Sequence, residues 1–302
     1  MKLAYLVAAH NTPNHMCRML KALNSDHVYF FIHIDKKSDI QPYQKNLNLP
    51  NITFIQERIS VYWGEFSQVQ ATINLIKSAL SSDIKFDYLI LISGSDYPLK
   101  TPSQISDFFL KNSGKEFINL VEMPNPKASK MLDRIYKYQM QTIIDKTYYR
   151  TLNKIINYGI NKIIRWRRNY KKVLGDMKLY AGSSWWALST DACHYILSYI
   201  DNHSPMVNFF KNTFFPDESF FHTIIGNSEF SENVTRNLTY TQWQATYHPE
   251  FINIEHLEMF KRMGTLRADD VYGRGELLFA RKFHDNSAEI TQLIDGWIRN
   301  YE

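Results

Sequence analysis

The sequence predicts an α/β fold with a nucleotide-binding type of first half, a basic helical insertion and a second stretch of alternating strand and helix. Three observations predict it. Short apolar, β-rich runs alternate with helix starts through the first hundred residues, the pattern of strands buried in a parallel sheet. The chain of 302 residues carries +5 overall, yet thirteen basic and two acidic residues fall between Lys127 and Lys172. That local +11 leaves −6 for everything else. After it the alternation resumes, with no internal repeat and no low-complexity linker.

The elements follow in order. Leu3–Ala9 and Val28–Ile34 read as buried strands. Between them Thr12-Pro13 reads as an N-cap with proline at the first helical position, followed by Met16, Met19, Leu20 and Leu23 at helical spacing. Ile52–Ile55 is a third strand. Ser67-Gln68-Val69-Gln70 reads as a capping box opening a helix that carries Val69, Ile73, Ile76 and Leu80 on one face. Tyr88–Ile92 is a fourth strand, and Thr101-Pro102-Ser103-Gln104 repeats the cap-plus-proline start. In such a sheet, ligand sites lie at the carboxyl ends of the strands, which puts His10, Asp35 and the Ser93–Asp96 turn near one another. The basic segment reads as an amphipathic helix, with Leu152, Ile155, Ile156, Ile160, Ile163 and Ile164 on one face, ending in Arg165-Trp166-Arg167-Arg168. Ser184–Ser189 is then a strand and Thr190–Ile200 a helix, and Phe215-Pro216-Asp217-Glu218 leads into a helix that Gly226 ends.

Composition excludes several classes. At 44 % apolar and 22 % charged residues the chain is neither disordered nor fibrous. Cys17 and Cys193 cannot build a disulfide framework and have no paired metal-ligand spacing, so a reducing compartment is expected. No run of 18 apolar residues suggests a membrane span, and the start lacks the long apolar core of a signal peptide. The expectation is a cytoplasmic protein able to touch the inner face of a membrane.

Several residues are candidates for chemistry. With Asp217 as an N-cap after Pro216, Glu218 falls in the first turn of a helix, where the positive end favours an ionised carboxylate able to accept a proton; the same pattern also serves stability alone. Asp96 in Ser93-Gly94-Ser95-Asp96 could bond a sugar hydroxyl or sit in a bland turn. His33 and Asp35 share one side of a strand end, as a weak metal pair or a structural one. The chain contains no Asp-x-Asp, the pair with which most nucleotide-sugar transferases hold a cation, so no metal and no cofactor are expected. Arg281-Lys282 could then meet the charge of a leaving diphosphate, or form a solvated surface pair.

Seven motifs in one order tie these pieces together: LAYLVAAHN at 3–11, IHIDKKS at 32–38, VYWGEFS at 61–67, LISGSDYPLKT at 91–101, GSSWWALS at 182–189, FPDESFF at 215–221 and LLFARKF at 277–283. The chain resembles the core-2/I-branching β-1,6-N-acetylglucosaminyltransferase and peptide O-xylosyltransferase family, especially its short bacterial members. The resemblance implies a GT-A type fold with a mixed central sheet in one domain. Residues 1–125 would be its nucleotide-sugar half, 126–175 the basic segment and 176–302 the acceptor and catalytic half. It implies inverting transfer without a metal from a UDP-sugar, N-acetylglucosamine before xylose, to a glycan or lipid-linked glycan in bacterial surface polysaccharide synthesis. By motif, Glu218 resembles the general base, Lys282 the diphosphate cation and Arg281 its weaker partner. His10 and Asp35 resemble nucleoside contacts, and Trp63 an aromatic near the uracil. Asp96, Trp185 and Trp186 resemble sugar-pocket positions, and Trp243 a further aromatic wall. Two departures stand out: Glu65 replaces a family glycine, and the second phosphate-binding arginine falls on either Arg262 or Arg267. The 127–172 segment is expected to shape the acceptor site or rest on anionic lipid. A single-stranded nucleic acid, which basic and aromatic residues together can bind, is the rival ligand and is not expected here.

Overall fold

The computed structural model describes residues 1–45, 47–142, 155–160, 162, 168–243 and 248–300. Strands β1 (Leu3–Ala9), β2 (Val28–Ile34), β3 (Ile52–Phe54) and β4 (Tyr88–Ser93) pair in parallel, in the spatial order 4-1-2-3. Helices α1 (Pro13–Leu23) and α3 (Ser67–Leu80) lie on opposite faces of this half, with the short α2 (Gln41–Lys45) beside α1. The alternation of side chains along β1 decides which face each residue serves. Leu3, Tyr5 and Val7 join Met16, Met19, Leu20 and Leu23 of α1, whereas Ala4 and Leu6 join Val69, Ile73 and Ile76 of α3. Both faces are therefore apolar, and the strands read as continuous apolar runs.

Beyond β4 the sheet turns antiparallel. After β5 (Asp96–Pro98) and α4 (Pro102–Lys111) the chain adds β6 (Glu116–Ile118) and β7 (Val121–Glu122), and returns through β8 (Tyr180–Ala181) to β9 (Trp186–Ser189). Strand β9 inserts between β4 and β6 and runs antiparallel to both, and β10 (Val234–Thr235) closes the edge beyond β6. This is the mixed central sheet expected of a GT-A type fold. A second sheet pairs β11 (Thr239–Thr241) with β14 (Phe279–Arg281) and β14 with β5. A hairpin of β12 (Arg267–Asp270) and β13 (Gly273–Glu276) stands apart from it.

Two helix starts differ from their sequence reading. Thr12 takes a left-handed conformation (φ 68°) and makes no side-chain cap; its hydroxyl donates to the Gly94 carbonyl at 3.3 Å. The free N–H of His15 is met instead by Asp285, at 2.8 Å from a loop far along the chain. Ser67 is the first residue of α3 rather than its cap, a position that falls to Phe66, and its hydroxyl accepts the Tyr62 N–H. Thr101 and Gln104 do form the capping box of α4. Of the amphipathic basic helix, residues 155–160 and 162 are helical; Leu152, Ile163, Ile164 and Arg165-Trp166-Arg167 lie outside the described residues.

One close approach fixes the loop before β9. A Cβ at Gly182 would lie 1.7 Å from the Asn119 carbonyl oxygen, so only glycine fits, and the Gly182 N–H holds the Glu218 carbonyl at 2.9 Å. Gly296, in the helix Ala288–Arg299, has nothing within 4 Å of a built Cβ. Urea unfolding should therefore separate the two. Gly182→Ala is expected to lose about 2–3 kcal/mol through overpacking, and Gly296→Ala to gain up to about 1 kcal/mol through helix propensity.

Candidate active site

The carboxyl ends of β1, β2 and β4 form the floor. His10 follows β1, and its carbonyl accepts the Ser38 hydroxyl at 2.6 Å. Asp35 ends β2 and is buried. Its carboxylate takes the Lys37 N–H at 2.9 Å, the Lys37 ammonium at 2.8 Å and the Val61 N–H at 3.3 Å. The structure thus brings Asp35 beside His10 but uses its carboxylate to brace the loops at 35–38 and 58–62. His33 points its Nε2 at the Ile59 N–H, at 3.1 Å, which is the structural alternative to a metal pair.

Asp96 and Arg281 face each other across β5 and β14. Asp96 is fully buried; it accepts the Ser93 N–H at 2.9 Å and lies 3.6 Å from the Arg281 Nε. Burial raises its carboxyl to about 6, against the pull of Arg281 and the Ser93 N–H. The Arg281 guanidinium also lies 4.4 Å over the Trp185 ring. Lys282, the next residue, is half-buried and within charge range of both His10 and Asp96. His10, Asp35, Asp96, Trp185, Arg281 and Lys282 therefore form one cluster.

Glu218 stands at the other side of the opening. Pro216–Glu218 is one turn of 3-10 helix, and the α-helix proper runs Phe220–Gly226. Asp217 is consequently no N-cap: its carboxylate accepts the Ser184 hydroxyl at 2.6 Å and the Gln68 amide at 3.4 Å. Burial, and then the adjacent Glu218 charge, raise it to about 6. The expected helix-end field gives way to side-chain charges. Lys130 donates to Glu218 Oε2 at 2.5 Å and Arg134 donates to the same oxygen. Burial pushes the Glu218 carboxyl up, but these two cations together outweigh it and hold the group below the usual glutamate range. Oε1 takes no hydrogen bond among the described residues.

The aromatic candidates separate. Trp63 is 67 % exposed and packs edge-on against Phe215 at 4.5 Å, beside the Glu218 turn. Arg134 lies 5.0 Å over the same Phe215 ring, which is half-buried. Trp186 is 2 % exposed, in the core against Phe221, and offers no face to a ligand. Trp243 is exposed and bridged to Pro249, next to residues outside the description. Neither arginine named for the second phosphate contact joins Lys282: Arg262 turns back to the Glu258 carbonyl, and Arg267 lines a surface groove with Lys100 and Lys111.

Sequence reading missed Lys130, Arg134 and Ser184 as partners of the Pro216–Glu218 turn. Lys130 and Arg134 stood inside the basic run, four residues apart, and nothing local distinguished them from the other cations there. The departure at Glu65 has a clear role: its buried carboxylate takes the Thr142 N–H at 2.8 Å and hydroxyl at 2.6 Å, tying down the basic segment. Arg168, at the far end, sends its guanidinium to the carbonyls of Lys137, Phe209 and Asn212 at 2.5 to 2.8 Å.

No helix among the described residues is long and apolar enough to cross a membrane. Comparison with known proteins finds relatives that are xylosyltransferases. Xylosyltransferase oxt of Drosophila melanogaster is 28 % identical over 235 residues, 75 % of this chain and 24 % of that protein. Xylosyltransferase 2 of Rattus norvegicus is 25 % identical over 316 residues, 97 % of this chain and 33 % of that one. The chain spans about a quarter to a third of the length of these curated relatives. The family model described as Core-2/I-Branching enzyme matches residues 3–263, through both the floor at the strand ends and the Glu218 turn, and the chain belongs to that family.

Proposed function

We propose that the chain catalyses inverting, metal-independent transfer of a sugar from a UDP-sugar to a hydroxyl of a glycan acceptor, free or lipid-linked. The observation that carries the reading is the division of labour on Glu218. Both cations bind Oε2, which fixes the carboxylate and keeps it ionised, and among the described residues Oε1 is left to accept a proton. In the reaction the acceptor hydroxyl gives its proton to Glu218 while its oxygen bonds to the anomeric carbon. The bond from that carbon to the diphosphate breaks, and its electron pair leaves with UDP. Attack from the face opposite the leaving group inverts the configuration.

Lys282, backed by Arg281, meets the growing negative charge of the diphosphate, which supports a reaction without a metal. Arg281 is itself engaged by Asp96 and Trp185, so Lys282 is the main cation. His10 sits on the nucleoside side of this cluster. The xylosyltransferase relatives favour xylose as the sugar to test beside N-acetylglucosamine. The basic segment is read as part of the acceptor side: Lys130 and Arg134 reach Glu218 and Arg168 binds backbone carbonyls, so these charges do not face a lipid surface or a nucleic acid strand.

Glu218→Gln should abolish transfer while UDP still binds, seen by calorimetry beside a transfer assay; full activity in this variant would sink the assignment of the base. Activity should survive EDTA, and Lys282→Met should weaken UDP binding by about tenfold or more, the loss of one charge-assisted contact. The pH–rate profile gives a further check. Glu218 must be ionised, so the acid limb lies below the usual glutamate range; Lys130→Met removes a cation, raises that pKa and moves the limb to higher pH. A limb that stays in place would show that Glu218 does not set it.

A further inference from the structure

A groove of about 510 Å³ lies between α4 and the β12–β13 hairpin and shares no lining residue with the site described above. Its walls come from separate parts of the chain. Lys111 and the Phe108 ring belong to α4, Lys100 to the turn before it, and Arg267, Arg274 and Glu276 to the hairpin. The strand register explains why the hairpin gives both arginines to the groove. Arg267 pairs with Glu276 and Asp269 with Arg274, so alternation puts Arg267 and Arg274 on one face. The other face rests on Arg236, which is 5 % exposed. Its guanidinium reaches the Asp270 carboxylate at 3.3 Å and the Gly273 carbonyl at 3.2 Å, and a Cβ at Gly275 would lie 2.6 Å from its Cγ. At the base of the hairpin the Leu277 N–H bonds the Leu266 carbonyl at 2.9 Å, and both leucines are buried. The hairpin is thus held from behind, with its arginines turned towards α4.

Four cations line the groove against two carboxylates, Asp107 and Glu276, and Glu276 is taken by Lys100 at 3.4 Å. The side chains of Lys111, Arg267 and Arg274 make no hydrogen bond and no ion pair among the described residues. Like charges gathered on a concave surface repel one another and draw anions from solution. The rest of the lining narrows the kind of anion. Phe108 is half-buried, its ring 5.6 Å from Phe109 and 5.3 Å from Phe117 on the core side, and Gln104 and Asn112 bring amides. Cations for acid groups, a ring for the C–H face of a sugar and amides for hydroxyls together suit an acidic carbohydrate chain. A groove also fits a chain better than it fits the flat surface of a membrane.

We propose that this groove binds an anionic stretch of the glycan acceptor, one that carries carboxylates or sulfates, at a distance from the hydroxyl that reacts. The choice of a glycan rests on the glycosyl-transfer reading above. The small sheet bounds the distance: Arg281 follows Glu276 by five residues, at most about 18 Å of extended chain. A short oligosaccharide spans such a length. Arg267 and Arg274 supply the main contacts, because they stand on a braced hairpin and have no partner of their own among the described residues. The groove holds the chain and takes no part in bond making.

The test needs no knowledge of the natural acceptor. Binding to the full chain is measured by calorimetry at one fixed salt concentration, with polygalacturonate, heparin and neutral dextran as probes. Wild type should bind polygalacturonate or heparin and not dextran, and the better of the two tells carboxylate from sulfate. Arg267→Ala together with Arg274→Ala should weaken that binding by about tenfold or more. Both side chains are exposed, so the Tm should stay at the wild-type value. Lys171→Ala together with Lys172→Ala, in the basic segment, should leave the affinity unchanged. A wild-type chain that binds neither polyanion, or that loses binding with the two lysines and keeps it without the two arginines, overturns the proposal. So does tighter binding of single-stranded DNA, or of vesicles of phosphatidylserine and phosphatidylcholine, that the arginine pair abolishes. Protection against heat unfolding by UDP-xylose and UDP-N-acetylglucosamine is measured on the same samples. A chain that binds a polyanion through the arginines but neither UDP-sugar overturns the transfer reading and not the groove.

Discussion

The buried pair of Asp96 and Arg281 is the contact on which the cluster at the strand ends depends. It joins the turn after β4, at the end of the parallel half, to β14, near the end of the chain. Around it the His15 ring donates to the Asp96 carbonyl at 2.8 Å and stacks on Phe283, the Phe283 N–H bonds the Ser95 carbonyl, and Trp185 covers the guanidinium. Four parts of the chain that are far apart in sequence are thereby locked at one point. Removing one member of such a pair leaves an uncompensated buried charge, a loss of about 3–5 kcal/mol in comparable cases. The same geometry explains why Lys282, and not Arg281, is left to face outward.

Glu218 shows the opposite arrangement, a carboxylate whose charge is met by two cations but whose second oxygen takes no hydrogen bond among the described residues. Its backbone is fixed by Gly182 and its side chain by Lys130 and Arg134, so its orientation is set before any ligand arrives. Pre-set orientation has a cost in basicity, since two cations lower the affinity for a proton. Asp217 next door is moved the other way by burial. Two adjacent carboxyls thus differ in character because one is given cations and the other a hydroxyl and an amide.

Much of this was legible in the sequence. The four parallel strands and the nearness of His10, Asp35 and Asp96 follow from apolar runs and strand ends, and the start of α4 from the Thr101-Pro102 pair; Lys282 was named for its charge and by the resemblance, not for its place. The antiparallel insertion of β9 does not, because a short apolar run carries no direction. Thr12 and Ser67 look like caps, but the partner that won each hydroxyl or N–H lies far off: Gly94 and Asp285 for the first helix, Tyr62 across a glycine turn for the second. Trp185 and Trp186 are neighbours in sequence, yet Trp185, just before β9, lies over Arg281, and Trp186, the first residue of β9, is in the core. Lys130 and Arg134 were hidden by their surroundings, since a charge run reads as one feature until a fold picks members out of it.

Glu65 and Arg168 give the chain between them an unusual status. Glu65 anchors it at Thr142, and Arg168 staples its far end to the carbonyls of Lys137, Phe209 and Asn212. Both anchors are built from groups outside the floor at the strand ends and outside the Glu218 turn. Thr142 and Arg168 are thus held by the protein's own carboxylate and backbone carbonyls, so where these two points of the basic segment sit does not depend on a bound partner.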